Sequence, residues 1–166
     1  MTEADARLYP ETVDLACVLV RDQTYALDVT AVREIVRFAP LTPLPDAPAL
    51  IEGVLDLRGT VLPVVDLARV LARDRSDGGL RARIVVLEVD RLVLGLWVDA
   101  ATDVLSVERA ALEPVPSLAT ETGGGCVGHV VRRPKQPPVL VLDPTALVEA
   151  VRRSGSQRSP APEVAA

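Results

Sequence analysis

The chain has 166 residues, 49% of them hydrophobic, which is enough for one domain with a real core or for two small packed units. A formal charge of -5 and a pI near 4.9 argue against a protein that holds nucleic acid by phosphate neutralisation, and with 2% aromatic residues no base-stacking platform compensates. No apolar run reaches the roughly eighteen residues of a membrane helix, and the opening MTEADARLYPET is acidic where a secretory leader is basic and then apolar, so the sequence predicts a soluble cytoplasmic protein.

The apolar residues are mostly Val, Leu and Ala in short runs, which favours strands. Residues 1–12 are polar and acidic and are expected to be disordered, with order starting at Val13. Leu15–Val20 and Thr24–Leu27 flank Arg21-Asp22-Gln23 and predict a first hairpin. Asp28 then reads as the cap of a short helix through Ile35, with Val29, Val32, Ile35 and Val36 on one face. Prolines at 40, 43, 45 and 48 exclude a regular helix or a central strand and predict an ordered, extended connector.

Next come Gly53–Leu57 and Thr60–Val65, parted by Arg58-Gly59. Glycine supplies the positive φ of a tight turn, so a hairpin with an arginine at its tip is predicted. Asp66 reads as a cap before Leu67, Val70 and Leu71, and the polar, Gly-rich stretch that follows places an internal boundary at 72–82. Ile84–Val89 and Leu92–Val98 form another hairpin around Asp90-Arg91. Thr102–Leu105 reads as a strand, and Ser106 as the cap of a short helix through Leu112 that Pro114 and Pro116 end.

Gly123-Gly124-Gly125 reads as a flexible loop, and Val127–Val131 with Val139–Leu142 as a last hairpin joined by a loop at 132–138. Asp143-Pro144 starts a helix over Thr145–Arg152, with Leu147, Val148 and Val151 facing inward. The ordered domain is thus expected over 13–153, and 154–166 is expected to be a disordered tail. Many short strands without a long central helix predict a mainly β fold, better fitted by two small barrels side by side than by a parallel α/β sheet.

Groups for chemistry are sparse. The single histidine, His129, lies in a predicted strand without companion metal ligands, and Lys135, the only lysine, follows no phosphate-binding glycine pattern. No serine sits in a Gly-x-Ser-x-Gly elbow, and the glycine triplet has the wrong spacing for a phosphate cradle. Asp66, Asp99 and Asp143 are most economically caps and turn formers. Cys17 reads as a small buried hydrophobe, and Cys126 as an exposed thiol if its loop is mobile. Three residues are left over from packing. Arg58 either pins its own hairpin or contacts a partner, Glu34 is either a solvated helix position or a functional neighbour, and Trp97 is either core or an interface anchor.

These residues, in their order and spacing, carry a resemblance. Tyr25-Ala26-Leu27-Asp28, Val32, Glu34, Ile35, Pro45, Pro48, Gly53, Leu57-Arg58-Gly59, Pro63 and Val65-Asp66-Leu67 are followed by Gly95, Val98-Asp99, Val104-Leu105, Gly128 and Leu142-Asp143. From about Val18 to Val148 the chain resembles the CheW-like family of bacterial chemotaxis coupling proteins. The resemblance implies two interleaved SH3-like five-stranded barrels, no catalysis, no cofactor and no metal. It also implies a scaffold between a chemoreceptor's cytoplasmic tip and the regulatory domain of a CheA-like histidine kinase, recruited to receptor arrays without inserting into the membrane. A variant of that role is an adaptor in a chemosensory pathway for pili, development or gene expression. A small β-barrel enzyme or ligand-binding protein is the contrasting class.

Carried over by position, Val32, Glu34, Ile35, Leu57, Arg58 and Gly59 are implied receptor contacts, with Val32, Ile35 and Leu57 lining one groove. Arg37, Phe38 and Leu41 are implied kinase contacts. Asp56 stands where the family usually has Asn, and its charge is expected to weaken the pull of Arg58 on an acidic receptor group.

Overall fold

The computed structural model describes residues 11–74, 79–116 and 125–156. Its elements, in chain order, are β1 (Thr12–Val20), β2 (Gln23–Asp28), β3 (Val32–Arg37), β4 (Ile51–Leu57), β5 (Thr60–Asp66), the short helix α1 (Leu67–Val70), β6 (Arg83–Val89), β7 (Leu92–Val98), β8 (Ala100–Glu108), β9 (Glu113–Pro114), β10 (Val127–Arg133), β11 (Gln136–Leu142) and the helix α2 (Pro144–Ser156). The fold is mainly β, as the short Val-rich runs require.

Two sheets share these strands, a six-stranded one in the order β8-β1-β2-β11-β10-β9 and a five-stranded one in the order β3-β6-β7-β5-β4. Pairing is antiparallel except for β2 with β11 and β5 with β7, which run parallel. The sheets interleave along the chain. The five-stranded sheet comes from one continuous stretch, β3 to β7, and the other sheet from both flanks. The expected boundary at 72–82 therefore falls in a connection within one sheet. The chain passes between sheets at the 3-10 turn Val29–Ala31 and at Asp99, whose amide donates to Leu19 O at 2.9 Å.

Three apolar clusters explain why the strands are nearly continuous apolar runs. Successive side chains on a strand point to opposite faces. In β6, Ile84 and Val86 enter the interior of the five-stranded sheet, while Val85 and Leu87 enter a shared core between the sheets. Leu62 and Val64 of β5 oppose Val65, and Val93 and Trp97 of β7 oppose Leu94, Leu96 and Val98, in the same division. On the other sheet, Val13, Leu15, Cys17, Ala26, Val139 and Val141 fill its own interior, while Val18, Val20, Tyr25, Leu27 and Leu142 join the shared core. Leu67 and Val70 of α1 and Leu147 and Val151 of α2 complete it.

Two of the expected helix caps, Asp66 and Asp143, are in place. Asp66 accepts from Ala68 N at 3.0 Å, and Asp143 accepts from Thr145 N at 3.0 Å and Ala146 N at 3.4 Å. Asp28 also caps, accepting from Thr30 N at 2.9 Å, but it starts only the three-residue turn Val29–Ala31.

The helix expected through Ile35 is instead β3. A register shift between Val32 and Glu34 places Val32 opposite Leu87 and Ile35 opposite Val85, both on the shared-core side, while Val36 faces Ile84 on the other. A bulge thus sets two apolar residues three apart on one face, a spacing that otherwise signals a helix. Ser106 lies within β8 and donates to Asp14 across the strand pair rather than capping a helix; only Arg109–Ala111 makes a turn there. The expected loop at 132–138 is mostly strand, closed by Pro134-Lys135 between the paired Arg133 and Gln136.

Order reaches further than expected at both ends. Thr12 pairs with Glu108, and α2 runs through Ser156, with Ser154 buried and accepting from Leu50 N at 3.4 Å. The expected disorder at 1–10 and 157–166, and Gly123 and Gly124, lie outside the described residues. No helix among the described residues is long and apolar enough to cross a membrane.

Candidate functional site

Arg58 and Gly59 both have positive φ, 51° and 86°, the pattern of a type I′ hairpin turn between the paired Leu57 and Thr60. Arginine in this conformation costs roughly 1–2 kcal/mol that glycine would not. Asp56 offsets part of the cost by accepting from Gly59 N at 2.9 Å. The carboxylate is therefore engaged with the turn's backbone, a job an asparagine oxygen does equally well, and it is not the anion that holds Arg58. That anion is Glu34, whose Oε2 lies 2.5 Å from the Arg58 guanidinium.

The pair has a topological meaning. Glu34 is on β3 and Arg58 follows β4, and these strands are the two edges of the five-stranded sheet. The ion pair ties edge to edge where no ladder does. Further along, Thr42 bridges to β4, with Thr42 N donating to Val54 O at 3.0 Å and Val54 N to Thr42 O at 2.8 Å. The proline-rich connector holds no regular helix, as the sequence predicts, and meets β4 through this one bridge. The Arg58 side chain is 73% exposed and Glu34 25%, so solvent screens the pair and its contribution to stability is about 0–1 kcal/mol.

Glu34, Leu57 and Arg58 line one small pocket of ≈ 140 Å³ together with Arg33, Thr60, Leu62, Val86 and Val93. Val32 and Ile35 are not in it. They share the other face of β3, where Val32 packs on the shared core and Ile35 is 41% exposed. Val32 and Ile35 therefore lie on the opposite side of β3 from the pocket that Leu57 lines.

At the far end of β3, Arg37 is exposed, whereas Phe38 and Leu41 turn inward against the interior of the five-stranded sheet. Phe38 stacks on Trp97 with ring centroids 4.4 Å apart. Trp97 is accordingly part of the core's edge, and its indole N–H is buried without a hydrogen-bond partner. The sequence reading passed over Arg83, which stands opposite Arg37 in the β3–β6 ladder, and the fully exposed Leu80. Arg83 was legible only as the polar residue opening an apolar run.

Of the remaining titratable groups, Asp99 accepts from Arg21 N at 2.6 Å in the first hairpin's turn, and His129 is exposed on β10, opposite Pro114 and Val141. Among the described residues no three of His, Cys, Asp or Glu gather as metal ligands. Cys126 is buried, not exposed, as is Cys17. Burial pushes both thiols above their ordinary pKa, so each is protonated at neutral pH and a poor nucleophile. A thiol reagent at neutral pH should therefore label neither cysteine in the folded protein and both after denaturation. Rapid labelling of Cys126 under native conditions would contradict its placement.

A model of the CheW-like domain family matches residues 14–152. The chain belongs to the CheW-like family. It is 39% identical over 121 residues to the chemotaxis protein CheW of Rhizobium meliloti (strain 1021), spanning 73% of this chain and 78% of that protein. It is 29% identical over 153 residues to protein FrzA of Myxococcus xanthus, spanning 92% of this chain and 95% of that one. Its fold matches the crystal structure of scaffolding protein TtCheW from Thermoanaerobacter tengcongensis with a TM-score of 0.75 at 25% identity, covering 84% of this chain and 89% of that one. CheW-like proteins act in chemotaxis signalling as scaffolds.

Proposed function

We propose that this chain is a non-catalytic scaffold that couples a chemoreceptor's cytoplasmic tip to a CheA-like histidine kinase, in the cytoplasm at membrane-associated receptor arrays. The observation that carries the reading is the CheW-like match along residues 14–152. The receptor side is the β4–β5 tip and the adjoining edge of β3. Arg58 presents its charge there with Gly59, while Leu57 backs the pocket below and Val32 and Ile35 offer an apolar flank. Glu34 holds the guanidinium in place until a partner's acidic group competes for it, so recognition is an exchange of carboxylates rather than the capture of a free cation. Arg37, Phe38 and Leu41 form the kinase side.

The test uses reconstituted receptor membranes and the cognate kinase. Arg58→Glu should abolish receptor control of autophosphorylation while the variant still binds the kinase's regulatory domain. Its unfolding free energy should stay within about 1 kcal/mol of wild type, as befits an exposed pair. Unchanged receptor control would remove Arg58 from the receptor surface. A wild-type chain that leaves kinase control untouched and instead turns over or retains a small molecule would end the scaffold reading.

A further inference from the structure

The two sheets are built alike. Without the short β9, the strand orders β8-β1-β2-β11-β10 and β3-β6-β7-β5-β4 correspond position for position: an outer strand, a hairpin, and a second hairpin joined to the first through a parallel pair. The likeness extends to single residues. Val32 pairs with Leu87, two residues before β6 ends, and Ala101 pairs with Val18, two residues before β1 ends. A register shift follows in both ladders, after which Ile35 stands opposite Val85 and Val104 opposite Ala16, again at matching places. Glu34 on β3 therefore corresponds to Asp103 on β8, and Ile35, 41% exposed, to Val104, 65% exposed.

The hairpin tips correspond too. Arg58-Gly59 closes β4–β5 and Pro134-Lys135 closes β10–β11, with Lys135 left-handed at φ 57° in the place of Gly59. Lysine is thus held in a backbone region that glycine enters without penalty. Arg133 stands beside it, so this tip offers two cations where the first offers one. At the first tip Glu34 already occupies the Arg58 guanidinium. At the second, Arg133 meets no carboxylate among the described residues and turns its Nε and Nη2 to Pro137 O, at 3.3 and 3.1 Å. Asp103 and Arg133 still share one neighbourhood: burial raises the pKa of the Cys17 thiol, the Asp103 carboxylate adds to the rise, and the Arg133 guanidinium opposes it. Arg132 pairs with Glu113 of β9 instead. From Gly123 to Leu142 the chain has no acidic residue, in a protein of net charge -5.

We propose that the β10–β11 tip, with β8 beside it, is a second receptor-tip site, in which an acidic group of the receptor segment binds Arg133 and Lys135 and Val104 serves as the apolar flank. The inference rests on the scaffold reading above and gives the chain two receptor contacts, one on each sheet. Corresponding elements present the same combination of tip cation and apolar flank, so the same class of segment suits both. The sites differ in one respect. Arg58 gives up Glu34 to its partner, whereas Arg133 gives up only a backbone carbonyl, and two cations outnumber Asp103. The second site therefore attracts acid more strongly and loses more affinity as salt rises.

Calorimetric titration of the full chain with a soluble fragment of the cognate receptor's tip should find two equivalents bound, with different salt dependences. Arg58→Glu should leave the more salt-sensitive equivalent, and Arg133→Glu the other. Lys135→Gly relaxes the left-handed turn, so it should melt at or above the wild-type temperature while weakening the second site severalfold; a purely structural lysine would not combine the two. Asp103→Asn should tighten the second site by up to about fivefold, the scale of an exposed charge pair. A single equivalent in wild type, lost in Arg58→Glu and intact in Arg133→Glu, overturns the second site and leaves the scaffold reading standing. Two equivalents that both survive Arg133→Glu and Lys135→Gly place the second one elsewhere and overturn the proposal as well. No binding by the wild-type chain overturns both readings.

Discussion

Leu96→Ala should lower the stability of the domain by about 2–5 kcal/mol and do so within a single unfolding transition. Leu96 is fully buried at the centre of the shared core, in β7, with Val65 on one side and Val85 on the other. The cavity it leaves is walled by both sheets, because Val18, Val20 and Leu27 of the six-stranded sheet reach the same cluster. Neither sheet keeps an intact inner face without the other. Trp97, the only tryptophan, reports on the five-stranded sheet by fluorescence, and far-ultraviolet circular dichroism reports on both. The two denaturant curves should coincide in wild type and shift together in the variant. Separate midpoints would mean that the sheets are independent units, and a loss below about 1 kcal/mol would mean that the shared core is loosely packed.

Gly95→Val should cost about 1–3 kcal/mol through the opposite fault, overpacking. Gly95 sits in β7 between Val64 and Val86 of its neighbours. A Cβ there would come within 2.9 Å of Ile84 Cγ2 and Val64 Cγ2 and 3.0 Å of Leu62 Cδ1. Two of these are methyls on β-branched side chains with little rotamer freedom, so relief needs a movement of strands rather than a rotation. Position 95 faces the same interior as Trp97, so the emission spectrum of the folded variant should shift too. Gly79→Ala is the matched control, since a Cβ there meets nothing within 4 Å, and it should stay within about 0.5 kcal/mol of wild type. Equal stability of Gly95→Val and wild type would show that the interior of the five-stranded sheet has room the structure denies it.

The parts of this fold that could be read from the sequence are those set by neighbours in the chain. The tips Arg58-Gly59 and Asp90-Arg91 are two-residue turns between apolar runs, and Asp66 and Asp143 cap helices whose first amides they reach through a two-residue span. Local rules break down where a distant strand decides. Val32 and Ile35 read as helical because they are three apart, yet a bulge against β6 puts them on one face of a strand. Ser106 has the chemistry of a helix cap, but pairing of β8 with β1 claims its backbone and Asp14 its hydroxyl. The parallel contacts of β2 with β11 and β5 with β7 have no local signal at all.

The candidate site divides along the same line. Arg58 is conspicuous as a lone charge at a glycine turn. Its partnership with Glu34 exists only because the two edges of the five-stranded sheet approach each other, so no spacing along the chain announces it.

The interleaving of the sheets also orders events while the chain is being made. The strands of the five-stranded sheet come from one stretch, β3 to β7: β4 and β5 pair as they appear, and β3 waits only for β6. The β1–β2 hairpin emerges before that sheet but must wait for its outer partners: β8 follows later, and the parallel partner β11 arrives only once Leu142 has been synthesised. Until then Val13, Leu15, Cys17 and Ala26 have no covering from Val139 and Val141. Of the strands that make up the two sheets, the first to be synthesised are therefore among the last to be fully covered, and the hairpin that closes the six-stranded sheet is the step that ends their exposure to the ribosome's surroundings.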